Sequence, residues 1–168
     1  MIVGSIRENI ELEKRVAITP DILKKYKSLG IEVCLSKNYA KHLGILDDDY
    51  LREGAKILEN DSDILSKSSI IVQVNLMEDD KLIKLNKDQS LIGILNPYSN
   101  NEKIKKLTDI NINCFSLELL PRITRAQAMD ILSSQANLAG YKAVIDSFSY
   151  FTKAIPMMMT AAGTISAA

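Results

Sequence analysis

The chain carries no net charge: its 168 residues include 21 acidic and 21 basic side chains. That balance offers no field to draw in nucleic acid or an anionic membrane, so a polyanionic partner is not expected. Cysteine is scarce. Cys34 and Cys114 each sit in an apolar or β-branched run, without a C-x-x-C pair or a cluster of histidines. This argues against a zinc site or a disulfide framework, no metal is expected, and both residues read as buried free thiols of a reducing compartment. The single histidine, His42, stands in AKHLGI and reads as a surface residue rather than a catalyst. No apolar run approaches the ~20 residues that span a bilayer. The start, MIVGSIREN, meets charge too early for a signal peptide, so a cytoplasmic location is the expectation. Glycine occurs at positions 4, 30, 44, 54, 93, 140 and 163, never with G-x-G-x-x-G spacing. A dinucleotide held by the usual glycine-rich turn is thereby excluded.

What the sequence does contain is the composition of a globular protein, with 46% hydrophobic and 25% charged residues. Short β-branched runs recur at 2–6, 31–35, 55–58, 70–74, 90–95 and 111–119, with helical patterns between them. Such alternation predicts βαβ units on a largely parallel sheet, an α/β three-layer sandwich. DILKKYKSLG (21–30) follows Thr19-Pro20 and stops at Gly30, and NEKIKKLTDI (101–110) places Ile104, Leu107 and Ile110 on one helical face. The spacing divides the chain into an α/β domain over 1–120 and a loop, long helix and crossing over 121–168. The long helix is expected from about Arg125 to Phe151, and after it comes IPMMMTAAGTISAA, without charge or cap.

The start of that helix is chemically unusual. Thr124 and Gln127 fit a capping box. At 100° per residue, Gln127, Asp130, Ser134 and Asn137 fall within about 80° of one another, with Ser133 at the edge of the stripe. Ala128, Leu132, Ala136, Ala139 and Ala143 lie opposite, a back of small residues suited to close packing. A stripe of this kind is either a solvated face or a ligand edge. Its short hydrogen-bonding side chains, where solvation would favour Lys and Glu, suit an amide or a phosphate. Arg122 adds a cation at the helix mouth. Asp130 and Arg122 could equally form a plain ion pair.

PRITRAQAMDILSSQANLAGYKAV, KRVAITP (14–20) and PMMMTAAGT together resemble the N-terminal part of the NAD-binding subunit of proton-translocating NAD(P) transhydrogenases, a group that shares its fold with alanine dehydrogenases. The resemblance spans essentially the whole chain. It implies NAD(H) as cofactor, NADP(H) on a partner component, membrane-spanning partner subunits, a homodimer, and a place on the cytoplasmic side of the membrane. It implies that Arg122, Ile123, Thr124, Gln127, Ala128, Met129, Asp130 and Ser133 lie at the nicotinamide end of the cofactor. Arg122, Asp130 and Ser133 would bond the carboxamide and its surroundings, with Gln127 near the second nucleotide. It implies further that a Rossmann domain follows TAAGTISAA, so that these 168 residues form one half of a two-domain site.

Alanine dehydrogenases need an arginine, a lysine and a histidine for carboxylate binding and proton transfer. Arg15 matches the arginine, but VQVN (72–75) lacks the lysine and ILNPYS carries Asn96 where the histidine is expected. Alanine deamination is disfavoured on that ground, and Arg15 reads as a buried ion pair or structural contact. A non-catalytic assembly module is the third alternative.

Overall fold

The computed structural model describes residues 1–167. They form two units, divided between Pro121 and Arg122. The first holds a six-stranded sheet in the order β3-β2-β1-β4-β5-β6. Its strands are β1 (Ile2–Ser5), β2 (Glu32–Ser36), β3 (Lys56–Leu58), β4 (Ile70–Asn75), β5 (Ser90–Ile94) and β6 (Asn113–Ser116). Every pairing is parallel, as the alternation of apolar runs and helices predicts. The connecting helices are α1 (Pro20–Ser28), α2 (Asp47–Arg52), α3 (Asp61–Lys67), α4 (Asp79–Leu82) and α5 (Asn101–Asp109).

Successive strand residues feed two cores, because side chains alternate across the pleat. On β2, Val33 and Leu35 enter a cluster with Ile18, Leu23, Tyr39 and Tyr50. Cys34 between them enters the other cluster, with Ile64, Ile71, Leu91 and Leu107. A sheet covered on both faces follows. The same alternation buries Cys34, while Cys114 is only partly buried; both thiols are free.

Two glycines answer to local geometry. Gly30 ends the first helix with φ +68°, its N–H donating to the Lys27 carbonyl while Ile31 N–H reaches Tyr26, as a left-handed helix end requires. At Gly93 on β5, a Cβ would stand 2.6 Å from the backbone carbonyl oxygen of Gln73 on β4. Backbone in mid-sheet has no rotamer with which to yield, so Gly93→Ala is expected to cost about 1–3 kcal/mol by overpacking. Urea unfolding of the variant checks this; an unchanged midpoint would contradict it.

The last predicted strand, 111–119, stops early at Ser116 and becomes a 3-10 turn over Leu117–Leu119. Glu118 bends the chain there, its carboxylate accepting from the Ser116 hydroxyl at 2.8 Å and from the Asn96 N–H.

The second unit consists of a 3-10 segment over Thr124–Met129, the helix α6 (Ile131–Tyr150), and a hairpin of β7 (Met158–Thr160) with β8 (Gly163–Ile165). The helix therefore starts at Ile131 and not near Arg125. Thr124 makes no capping bond, so the predicted Thr124–Gln127 capping box does not form. Asp130 takes that role, with its carboxylate accepting from Ser133 N–H at 3.0 Å and from the Ser133 hydroxyl at 2.6 Å. Aspartate is among the preferred N-cap residues, and it ends the 3-10 turns where it sits. The hairpin is an element that the Met- and Ala-rich tail does not signal.

Candidate nicotinamide-facing segment and the carboxyl end of the sheet

Two places collect functional chemistry, one in each unit. In the second, Arg122, Ile123, Thr124, Gln127, Ala128, Met129 and Ser133 are exposed, and Asp130 is partly buried. The 3-10 winding up to Met129 removes Gln127 from the helical stripe, while Asp130 and Ser133 are locked together at the helix start. The Ser133 hydroxyl and amide, with a smaller contribution from the Arg122 charge, hold the Asp130 carboxyl below its ordinary range. Among the described residues Arg122 makes no ion-pair contact with Asp130, although its charge is near enough to lower that carboxyl. Its guanidinium is available at the mouth of the helix.

In the first unit, the strand order reverses at β1 and β4, the point at which open α/β sheets bind ligands beyond their carboxyl ends. The connection from β1 to α1 is a long strap over residues 6–19 in place of a glycine turn. A half-open cavity of about 370 Å³ lies there, lined in part by Glu8, Glu13, Gln73 and Asn75. Buried Gln73 is the hub. Its Oε1 accepts from Ser5 Oγ at 2.9 Å and Ile6 N at 2.7 Å, and its Nε2 donates to the Ile6 carbonyl at 3.1 Å and Glu8 Oε1 at 3.2 Å. Ser5 passes the chain of bonds to the Tyr39 hydroxyl at 2.7 Å. Burial pushes that phenol up to about 12.

Glu8 also accepts from Val74 N–H at 2.7 Å, so the strap is fastened to β4. Desolvation raises its pKa even against these donors. Glu13, in contrast, is held at about 2, chiefly by the Arg15 guanidinium, which meets it at 2.8 Å and 2.6 Å. Asn75 Nδ2 donates to the same carboxylate at 3.2 Å. Arg15 is thus the ion pair that the sequence suggests, but its side chain remains 45% exposed rather than buried. His42 is exposed, as predicted, and its Nε2 meets the Lys14 carbonyl at 2.7 Å.

These two carboxyls bind stability to pH in opposite senses. The depressed Glu13 contributes stability that is present above its ordinary value near ~4.3 and lost as pH falls toward 2. The raised Glu8 contributes below its ordinary value and loses that contribution as pH rises through its folded one. Glu13 dominates the acid limb. After discounting for the half-exposed Arg15, roughly 1–2 kcal/mol should disappear between about pH 5 and pH 2. Denaturant titrations across that range should show a shallower acid loss in Glu13→Gln; an identical profile would contradict the assignment.

Sequence reasoning alone does not single out the Glu8–Gln73–Asn75 network. A signal for it exists: a glutamine inside the apolar strand IIVQV must find partners once buried. Among the described residues no group of three His, Cys, Asp or Glu side chains could hold a metal ion, and no helix is long and apolar enough to cross a membrane.

Comparison with known proteins places this geometry in a family. Residues 4–139 match the model of the alanine dehydrogenase/PNT N-terminal domain. An NAD(P) transhydrogenase subunit alpha protein of Rickettsia prowazekii is 41% identical over 99% of the chain, which covers 45% of that protein. The protein of the same name from Rhodospirillum rubrum is 40% identical over 91% of the chain, covering 41% of its length. The crystal structure of transhydrogenase from Sinorhizobium meliloti superposes on the whole chain with a TM-score of 0.92 at 40% identity, across 50% of that structure. The chain spans about half the length of these relatives or less. With its parallel six-stranded α/β sheet and this match, the chain belongs to the alanine dehydrogenase/PNT N-terminal domain family.

Proposed function

We propose that the chain is the N-terminal part of the NAD(H)-binding component of a proton-translocating NAD(P) transhydrogenase. The observation that carries this over alanine deamination is the loss of a proton-transfer pair. The stretch VQVN (72–75) carries no lysine, and its Asn75 spends its amide on Glu13. Asn96 stands where the histidine would be, in a left-handed turn at φ +46° with its N–H bonded to Glu118. Neither side chain titrates. When bound, nicotinamide supplies the hydride, passed from C4 of one ring to C4 of another, and this needs alignment rather than an acid or base.

The residues fit the carboxamide end of such a cofactor and not its pyrophosphate. Arg122 and Gln127 are exposed, and Asp130 is fixed by Ser133 in one orientation. The strap at residues 6–19, however, offers no glycine cradle for phosphates. Arg122, Asp130 and Ser133 would orient the carboxamide, with Ile123, Thr124, Ala128 and Met129 beside it and Gln127 toward the second nucleotide. The remaining contacts would come from a Rossmann domain, whether on the same polypeptide or on a partner. NADP(H) belongs to a partner component, and coupling to proton movement belongs to membrane-spanning subunits, at the cytoplasmic face of which this component sits. Homodimer formation is supported by the exposed Leu138, Tyr141, Val144 and Phe148 of α6 and by Met157 to Met159.

Two assays test the proposal. The assembled enzyme containing this chain should transfer hydride between NADH and NADP⁺ and should form no NADH from alanine and NAD⁺; the reverse pattern would overturn it. The 168 residues alone should bind NADH weakly, because pyrophosphate and ribose contacts are missing. Low-micromolar affinity for the isolated chain would contradict that half of the proposal.

A further inference from the structure

Beside the Gln73 cavity, a second cavity of about 300 Å³ opens at the carboxyl ends of β1, β2 and β3, with Arg7, Lys37, Lys81 and Lys84 among its lining residues. Two of its cations are matched: Lys37 meets Glu59 at 2.7 Å and Lys81 meets Asp61 at 2.6 Å. Arg7 and Lys84 line the same space; Arg7 reaches Asp61 only through its charge and makes no ion-pair contact among the described residues. In a chain without net charge, this leaves a local excess of positive charge.

The floor of the cavity is built rather than incidental. Ser36, 3% exposed, accepts from Arg7 N–H at 3.1 Å and donates to Asp61 Oδ1 at 2.7 Å. One buried hydroxyl thereby fixes the backbone that carries Arg7 and the carboxylate that aims Lys81. Desolvation pushes the Asp61 carboxyl up, but the bonds from Lys81 and Ser36, with the charges of Lys81 and Arg7, hold it below its ordinary range, so it remains charged. The cations come from the connections after β1, β2 and β4, so three segments converge on one point, as ligand sites at the end of a parallel sheet require.

We infer that this cavity is an anion site for a small phosphate-bearing molecule, held by Arg7 and Lys84 with Lys81 as a fixed third donor. A guanidinium fork and two ammonium groups match a phosphoryl group's three oxygens. The site shares no residue with the nicotinamide-facing segment, and it stands or falls independently of the proposed function.

The test is titration of inorganic pyrophosphate into the full chain at constant ionic strength, read by calorimetry. Saturable binding is expected, weakened about tenfold or more in Arg7→Gln and in Lys84→Gln. Lys103→Gln, outside the cavity lining, should bind as the parent does. Thermal melts establish that the variants fold; Lys84 is exposed, so its substitution reads the site without the core. Absence of saturable binding, or equal affinity in all three variants, overturns the inference. A second arm repeats the titration on the complete NAD(H)-binding subunit saturated with NADH. Retained pyrophosphate supports a separate phosphate site, while displacement would assign the cations to the dinucleotide's own pyrophosphate and overturn it.

Discussion

Gln73→Leu should be the most destabilising single substitution in the sheet, at about 3 kcal/mol or more. Leucine preserves the volume but removes both ends of an amide that makes four bonds, to Ser5 Oγ, Ile6 N, the Ile6 carbonyl and Glu8 Oε1. Each buried group left without a partner costs on the order of 1–3 kcal/mol, and these groups lie on one hub, so the losses do not simply add. Glu8 would also lose one of the donors that hold the strap over the end of the sheet. Gln73→Glu provides the contrast: it keeps an acceptor for Ser5 and Ile6 but loses the donor toward Glu8, and it places two carboxyls together. Its cost should grow as pH rises. Denaturant midpoints measured across pH check both, and a Gln73→Leu protein as stable as the parent would remove the network from the account.

Asp130→Asn should leave the fold intact and slow hydride transfer in the assembled enzyme by roughly ten- to a hundredfold, through lost alignment. Asparagine remains a competent N-cap, so α6 keeps its start. What changes is one carboxylate oxygen, which accepts from the Ser133 hydroxyl at 2.6 Å. The substituted amide must present either a nitrogen or an oxygen to that hydroxyl, and the charge beside Arg122 disappears. Ser133→Ala tests the same pair from its other side and should show a smaller effect, because the backbone N–H of residue 133 still caps on Asp130. Steady-state transhydrogenation with unchanged melting temperature is the expected combination for a rate loss confined to alignment. An unchanged rate removes Asp130 from the site.

The sheet is legible in the sequence because each strand repeats the same local statement, a β-branched run bounded by turn residues. The runs 70–74 and 90–95 become strands Ile70–Asn75 and Ser90–Ile94, each read to within a residue. The start of α6 is misread because two capping patterns overlap, Thr124 with Gln127 and Asp130 with Ser133. Periodicity continues smoothly through both, and only the competition between caps decides which one ends the 3-10 turns. Arg15 is readable as an ion pair but its partner is not, since Glu13 lies two positions away in a strap whose path is set by Glu8 and Gln73. The anion cavity is illegible for a related reason. Arg7, Lys81 and Lys84 are ordinary surface cations until β1 and β4 become neighbours and carry their connections to one place.

The most direct measurement of the central claim is the backbone amide spectrum of the complete NAD(H)-binding subunit, recorded with and without NADH. The signals of Arg122, Gln127, Asp130 and Ser133 should shift on saturation, while those of α5 stay in place. Saturation that left all four unmoved would contradict a nicotinamide-facing role for this segment.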